Sequence, residues 1–408
     1  MNKRILLISS VLLTTVICCW GLYNLMDSKS SLVIKDEKGS RLINTNAITM
    51  MYETEAGSGE YQVSSDSTWP QSGYTFNENL SKCENGGTLS WNDETKRVIM
   101  QANTSDKCYV YFDVVLPPTL VEYIATDVYT GTDGDNGLYY HDGVGTYTNA
   151  DREAEDNSYR YTGANPYNYV CFGSDEATCP NDNLYRIIGI FDGEVKLIKA
   201  DFSNLLGTNG AYYGTRTPRS SYKGSQSILY EYYWNNNTNT NIWSESNLNT
   251  VNLNQNYITN ISSDWSNKIA EHTWQVGGAS VQNIYNAPVK TAYNYEVGAN
   301  SVNTTYTSKI GLMYVSDYGY AARPNYWTRE LFSYYNSENW LSIGEDEWTI
   351  SPCLDSILAW KISFDGGVSN SFVGEDLYTN YFRPSFYLNS AVQYISGSGT
   401  QTDPFRIT

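Results

Sequence analysis

Residues Trp348 to Leu388 read WTISPCLDSILAWKISFDGGVSNSFVGEDLYTNYFRPSFYL. The run holds a Trp-led strand, a hairpin turn at Asp365-Gly366-Gly367 and a closing Arg-Pro-Ser-Phe-Tyr-Leu strand. A tight turn between two such runs commits this part of the chain to an antiparallel sheet. A second hairpin is written at Tyr185 to Ala200, where Asp192-Gly193 supplies the two positive-φ residues that a two-residue turn needs. The 37 tyrosines among 408 residues point the same way, since Tyr suits half-buried sheet surfaces.

The front of the chain constrains where that sheet folds. Lys3 and Arg4 precede an uncharged run from Ile5 to Met26. Nineteen residues of helix rise about 28 Å, close to the hydrocarbon thickness of a bilayer. Positive residues before the run keep the N-terminus cytoplasmic and send the rest outward. Residues 1–26 are therefore expected to be an uncleaved signal-anchor transmembrane helix. A cleaved signal peptide and a lipoprotein anchor at Cys18 or Cys19 are the rivals. No A-x-A site follows, and Ile17 stands where lipoprotein processing wants a small residue. The protein is expected at the cell membrane, single-pass, with its C-terminal part extracellular and the membrane as its one sure partner.

Export makes the cysteines readable, because disulfides persist outside the cell. Local spacing suggests Cys83 with Cys108 and Cys171 with Cys179, leaving Cys353 odd, although sequence alone does not fix connectivity. Residues 27–118 read as a small β-sandwich, with GTLSW, RVIMQA and KCYVYFDVVL as strands and Cys108, Val110 and Phe112 on one face. Residues 119–160, rich in Gly, Asp, Thr and Asn, read as a flexible connector. Asp133, Asp135 and Asp142 there do not complete a calcium loop, so no metal site is expected. Residues 161–408 read as one larger domain, with two short helices between Trp243 and Trp274 and a strand at Lys309 to Tyr320.

Charge and composition narrow the function classes. The net charge of -18 disfavours nucleic acid. His141 and His272 are the two histidines, too few for a His-rich metal site. His141 reads as a solvated loop residue and His272 as a cation at a helix C-terminus; a Cys353–His272 nucleophile pair is a remote third reading. Glu345, Asp346, Glu347, Asp365 and Glu375 are carboxylates, but nothing places two of them across a cleft. No phosphate-cradling or dinucleotide motif appears, so no catalytic residue, metal or cofactor is assigned. Trp327, Trp340 and Trp348 form an aromatic cluster that would grip a sugar or peptide if exposed and fill the core if not. Arg383 reads either as a carboxylate binder or as half of a buried structural pair.

The motifs WTISP, FDGGV and YFRPSFYL, with Trp243, Leu248 and Leu253-Asn254 upstream, resemble a domain of unknown function in exported proteins of gut Bacillota. The likeness covers about the last 230 residues. Tyr381-Phe382 stands where Gly-Val is usual and Thr349-Ile350 where Leu-Arg is usual. That domain is similar to the formylglycine-generating-enzyme branch of the C-type-lectin-like fold. The resemblance implies a mainly β fold with some helix (α+β), ending in a C-type-lectin-like domain. It also implies a catalytic cysteine pair near Cys353, but Leu358 occupies the partner position. Three functions stay open: a non-catalytic glycan- or protein-binding surface module, a degenerate or unrecognised enzyme of that fold, and a structural envelope protein.

Overall fold

The computed structural model describes residues 33–36, 39–42, 48–101, 106–144, 152–201, 216–221, 229–354, 357–374 and 380–408. The expected transmembrane helix at residues 1–26 lies outside these. Among the described residues no helix is long and apolar enough to cross a membrane. The protein is α+β, mainly sheet with few and short helices. It divides into two compact units after Pro117.

The first unit carries two sheets. One orders Gly39–Leu42, Val33–Asp36, Arg97–Gln101 and Thr88–Asn92; the other centres on Ile48–Glu53 and Cys108–Val114, paired in parallel. Cys108, Val110 and Phe112 are buried and their neighbours half-buried, the alternation expected from a pleated strand. Val98 and Met100 from the first sheet join them in one core. Trp91 meets Phe112 edge-on, with ring centres 5.5 Å apart. The Cys83–Cys108 disulfide joins directly paired residues of adjacent strands.

The second unit is built on a seven-stranded antiparallel sheet. Its order is Leu138–Tyr140, Tyr159–Tyr161, Leu184–Phe191, Glu194–Lys199, Ser385–Tyr387 and Ile310–Gly311, with Tyr169–Cys171 also paired to Leu184–Phe191. The two central strands turn through Asp192 (φ 49°) and Gly193 (φ 80°), the turn read from Asp-Gly. Both are buried on both faces because the unit covers both sides of the sheet. Gly189 sits where the register shifts and Tyr159 crosses; a Cβ there would lie 2.2 Å from the Tyr159 carbonyl oxygen. A smaller sheet orders Glu347–Pro352, Leu358–Ile362 and Val368–Phe372 around the Asp365 turn. The Cys171–Cys179 disulfide staples the loop ahead of the central hairpin.

Two expectations fail here. Residues 119–160 are not a flexible connector where they are described. Thr119 and Glu122 form a reciprocal capping box that starts a helical segment directly after Pro118. Leu120, Ile124 and Leu138 then enter the core, and Leu138–Tyr140 and Tyr159–Tyr161 are sheet strands. His141 is not solvated either: it is fully buried, and its Nδ1 accepts from the Ala154 N–H at 3.1 Å. Desolvation, then the charge of Arg160, holds its pKa well below the usual value, so it is neutral. The Gly- and Asp-rich composition hid a segment that buries both apolar residues, such as Leu120, Ile124 and Leu138, and polar ones, His141, Ser158 and Arg160. The Trp243–Trp274 region is helical in pieces, at Trp243–Glu245, Leu248–Tyr257 and Ser263–Ser266, but Trp274 ends in a strand.

Candidate functional site

The tryptophans are not a gripping surface. Trp327, Trp340 and Trp348 are buried, at 0%, 5% and 0% exposure. Each indole N–H donates to a backbone carbonyl: Ala322 at 3.0 Å, Tyr161 at 2.8 Å and Tyr232 at 2.8 Å. A sheet short of Leu and Val uses these rings as filler, and the paired N–H groups remove the penalty of burying them. Arg383 is equally enclosed. Its Nε and Nη2 grip Glu347 at 2.7 and 2.9 Å, and Nη2 also donates to the Leu341 carbonyl at 2.6 Å. It is the structural half of its two readings, and no ligand reaches it. The Asp346 carboxylate is taken by Lys361 and the Phe364 N–H, and Asp365 accepts from Gly367 inside the turn. Glu375 lies outside the described residues. Cys353 is buried and outside the disulfides.

Open space lies elsewhere, in a cavity of about 320 Å³ beside the central hairpin. Six stretches of the sequence wall it. Tyr159–Tyr161 and its approach bring Asp156, Ser158 and Arg160. The hairpin brings Phe191 and Asp192. The His272–Gln275 strand brings His272, Thr273 and Gln275. Two helices, Val289–Glu296 and Val315–Ala321, bring Tyr293, Ser316 and Asp317, while Tyr314 and Tyr387 close the floor. The sequence reading missed nearly all of these. One signal was present: Lys196 interrupts the apolar run VKLI in a strand buried on both faces, which demands a buried counter-charge.

That counter-charge is Asp317, whose Oδ2 lies 2.6 Å from Lys196 Nζ. Lys196 Nζ also lies over four rings, 4.4 Å from Tyr314, 5.1 Å from Trp274, 5.2 Å from Tyr387 and 5.9 Å from Phe191. Desolvation lowers its pKa and Asp317 opposes the shift. A second ion pair stands beside it. Arg160 Nη2 meets Asp156 Oδ2 at 2.5 Å, and the guanidinium packs over Phe191 and Tyr320. Burial would raise the Asp156 carboxyl, but Arg160 and the Ser158 hydroxyl outweigh it and hold the pKa at about 2.

His272 is not the helix-terminal cation expected. It lies on a strand, stacked on Tyr387 with ring centres 3.7 Å apart. Its Nδ1 is 3.5 Å from Glu194, a contact that favours protonation. Desolvation and the nearby Lys196 charge outweigh that contact and lower the pKa to about 4, so the ring is neutral at pH 7. The Cys353–His272 pair is not assembled: His272 lines this cavity, while Cys353 lines a separate one with Trp243 and Pro352.

Two features show what the cavity can do. First, three of its charged lining residues are answered by close partners, Arg160 by Asp156 and Asp317 by the fully buried Lys196, which does not itself line the cavity. Second, one acceptor is unanswered: Gln275 Oε1 is buried without a hydrogen-bond partner, although the Gln275 backbone N–H donates to the Tyr314 hydroxyl at 2.8 Å. Glu296, at the end of the Val289–Glu296 helix, is fully enclosed and raised by burial. It is committed to the backbone N–H groups of Val315 and Ser316 and to the Ser351 hydroxyl, and so anchors the start of the Val315–Ala321 helix. The arrangement is a half-open cavity with aromatic and polar walls. No family model, curated protein or solved structure matches the chain.

Proposed function

We propose that the protein is a membrane-anchored, outward-facing binding module, held by its N-terminal apolar helix and without catalytic activity. Its larger unit would take a glycan or protein ligand in the cavity beside the central hairpin. The observation that carries this reading is that cavity. It combines aromatic walls with polar groups, at the lower end of the roughly 300–1,000 Å³ typical of ligand pockets. Catalysis by general acid and base wants a group poised near the working pH. Here Asp156 sits at about 2 and His272 at about 4, both far from neutral. The C-type-lectin-like fold type, of the formylglycine-generating-enzyme branch, is part of the same proposal and rests on the order of WTISP, FDGGV and YFRPSFYL. Export rests on the apolar run Ile5 to Met26 and is supported by the two disulfides.

The test is a glycan and protein array probed with the full-length chain in sugar-free detergent. Binding that Phe191→Ala and Thr273→Trp both weaken, with melting temperature preserved, supports the reading. An array with no binding, or binding indifferent to both variants, sinks it.

A further inference from the structure

A primary amine and a carboxyl group are the two halves of an amide. Water keeps them from joining, because it stabilises the ammonium and the carboxylate over the uncharged forms that react. Lys196 and Asp317 are held out of water. Their side chains are 0% and 4% exposed, with Nζ 2.6 Å from Oδ2. Tyr314, Trp274, Tyr387 and Phe191 surround the amine with ring centres 4.4 to 5.9 Å away. Desolvation lowers the Lys196 pKa against the pull of Asp317, which brings the uncharged, nucleophilic amine within easier reach than on a solvated lysine.

Both groups are also fixed in place. Lys196 sits in a central strand, in register with Tyr387. Asp317 Oδ2 accepts the Tyr314 N–H at 2.8 Å. The next two N–H groups, of Val315 and Ser316, donate to Glu296 at 3.0 and 2.7 Å, which anchors the helix that carries Asp317. Reactants held in contact behave as if at effective concentrations that reach about 10⁵–10⁸ M. Asp317 lines the cavity and Lys196 does not, so water released from the carboxyl has a way out while solvent is kept from the amine.

Other ion pairs lack one of these conditions. Lys361 and Asp346 are equally close at 2.6 Å, but their side chains are 15% and 36% exposed. Arg160 and Arg383 are enclosed, but a guanidinium keeps its proton and offers no nucleophilic lone pair.

We infer that Lys196 and Asp317 join through an isopeptide bond that the folded protein forms on itself. Nζ bonds to Asp317 Cγ, the Cγ–Oδ2 bond breaks, and Oδ2 leaves as water with the two protons that Nζ gives up. Charge and oxidation state balance without a co-reactant. The ion pair is the state before this bond. The product ties the Glu194–Lys199 strand to the Val315–Ala321 helix across 121 residues of sequence. It is a single event within one chain, and it is independent of whether the cavity takes a ligand.

The experiment is mass spectrometry of the full-length protein, purified folded in detergent and then reduced at its disulfides. The chain should be lighter than its sequence by one water. Trypsin should skip Lys196 and yield one branched peptide carrying both Lys196 and Asp317, while it cleaves after Lys361 as at a free lysine. Lys196→Arg keeps a positive charge beside Asp317 and should show the full sequence mass. Three results overturn the inference. The first is a folded wild-type chain of full sequence mass, or one in which the linked form is a minor fraction. The second is lost water that maps elsewhere, such as a succinimide at Asp192-Gly193 or a bond at Lys361. The third is the same water loss in folded Lys196→Arg. Should Lys196→Arg fail to fold, the wild-type mass and peptide map decide alone.

Discussion

Two polar clusters of the larger unit use the same residue types to opposite ends. Around Arg383, the guanidinium, the Glu347 carboxylate and the Leu341 carbonyl saturate one another, and both side chains are 1% exposed. Around Arg160, the Asp156 partner keeps 21% of its side chain exposed, and both line open space. An arginine paired to a carboxylate therefore says nothing about function by itself. What separates a rivet from a site is whether the surrounding side chains leave room, and whether some polar atom there is still unanswered. Gln275, another residue lining the space around Arg160, keeps its Oε1 buried and without a hydrogen-bond partner.

The comparison is broken most easily from the rivet side. Arg383→Ala would leave the Glu347 carboxylate buried and uncompensated, which costs about 3 to 5 kcal/mol. Denaturant unfolding of the full-length protein reads this directly. A loss below about 1 kcal/mol would mean that water or another cation reaches Glu347, and the contrast between closed and open clusters would collapse.

Acid titration probes the open cluster. His272 has a folded-state pKa of about 4 against 6.5. The unfolded chain therefore binds the proton first as pH falls. Its contribution is full above pH 6.5 and is lost as pH falls through about 4, about 3 kcal/mol in all. His272→Phe keeps a ring for the Tyr387 stack and should flatten the stability profile in that window. An unchanged slope in the variant would assign the acid sensitivity elsewhere. Asp156 adds a second, smaller decline at lower pH. Its folded pKa of about 2 lies below the ordinary 3.8, so the stability it contributes is present above 3.8 and lost as pH falls through about 2, about 2 kcal/mol. Asp156→Asn should remove that second step, and its survival would detach it from the Arg160 pair.

What the sequence made legible follows from how local each signal is. Asp192-Gly193 and the Asp365 turn are read within four residues, and both hairpins fold as written. Cys83 with Cys108 and Cys171 with Cys179 are close along the chain, so spacing suggests them and the structure forms both. Burial needs a longer reach. The Trp327, Trp340 and Trp348 cluster is contiguous enough to notice, yet what each ring packs against lies on other strands. The cavity is the extreme case. Asp156, Gln275 and Asp317 are separated by more than a hundred residues in one step and about forty in the next, and neither pairing leaves a local trace. Residues 119–160 mislead for another reason. Their glycines serve turns, such as Gly134 at φ 93°, while Thr119-Leu-Val-Glu122, a capping-box signature, marks the start of ordered structure.

The smallest effect is the sharpest discriminator between the clusters. In a saturated cluster, deleting a polar atom orphans its partner and destabilises by about 1 to 3 kcal/mol; Ser351→Ala, which takes one donor from Glu296, should behave so. Deleting an atom that has no partner orphans nothing. Gln275→Leu removes the unpartnered Oε1 together with the amide Nε2, and should shift unfolding free energy by less than about 1 kcal/mol. A destabilisation as large as that of Ser351→Ala would show that the Gln275 side-chain amide is bonded in solution. The cluster around Arg160 would then be as saturated as the one around Arg383, and the asymmetry between them would be gone.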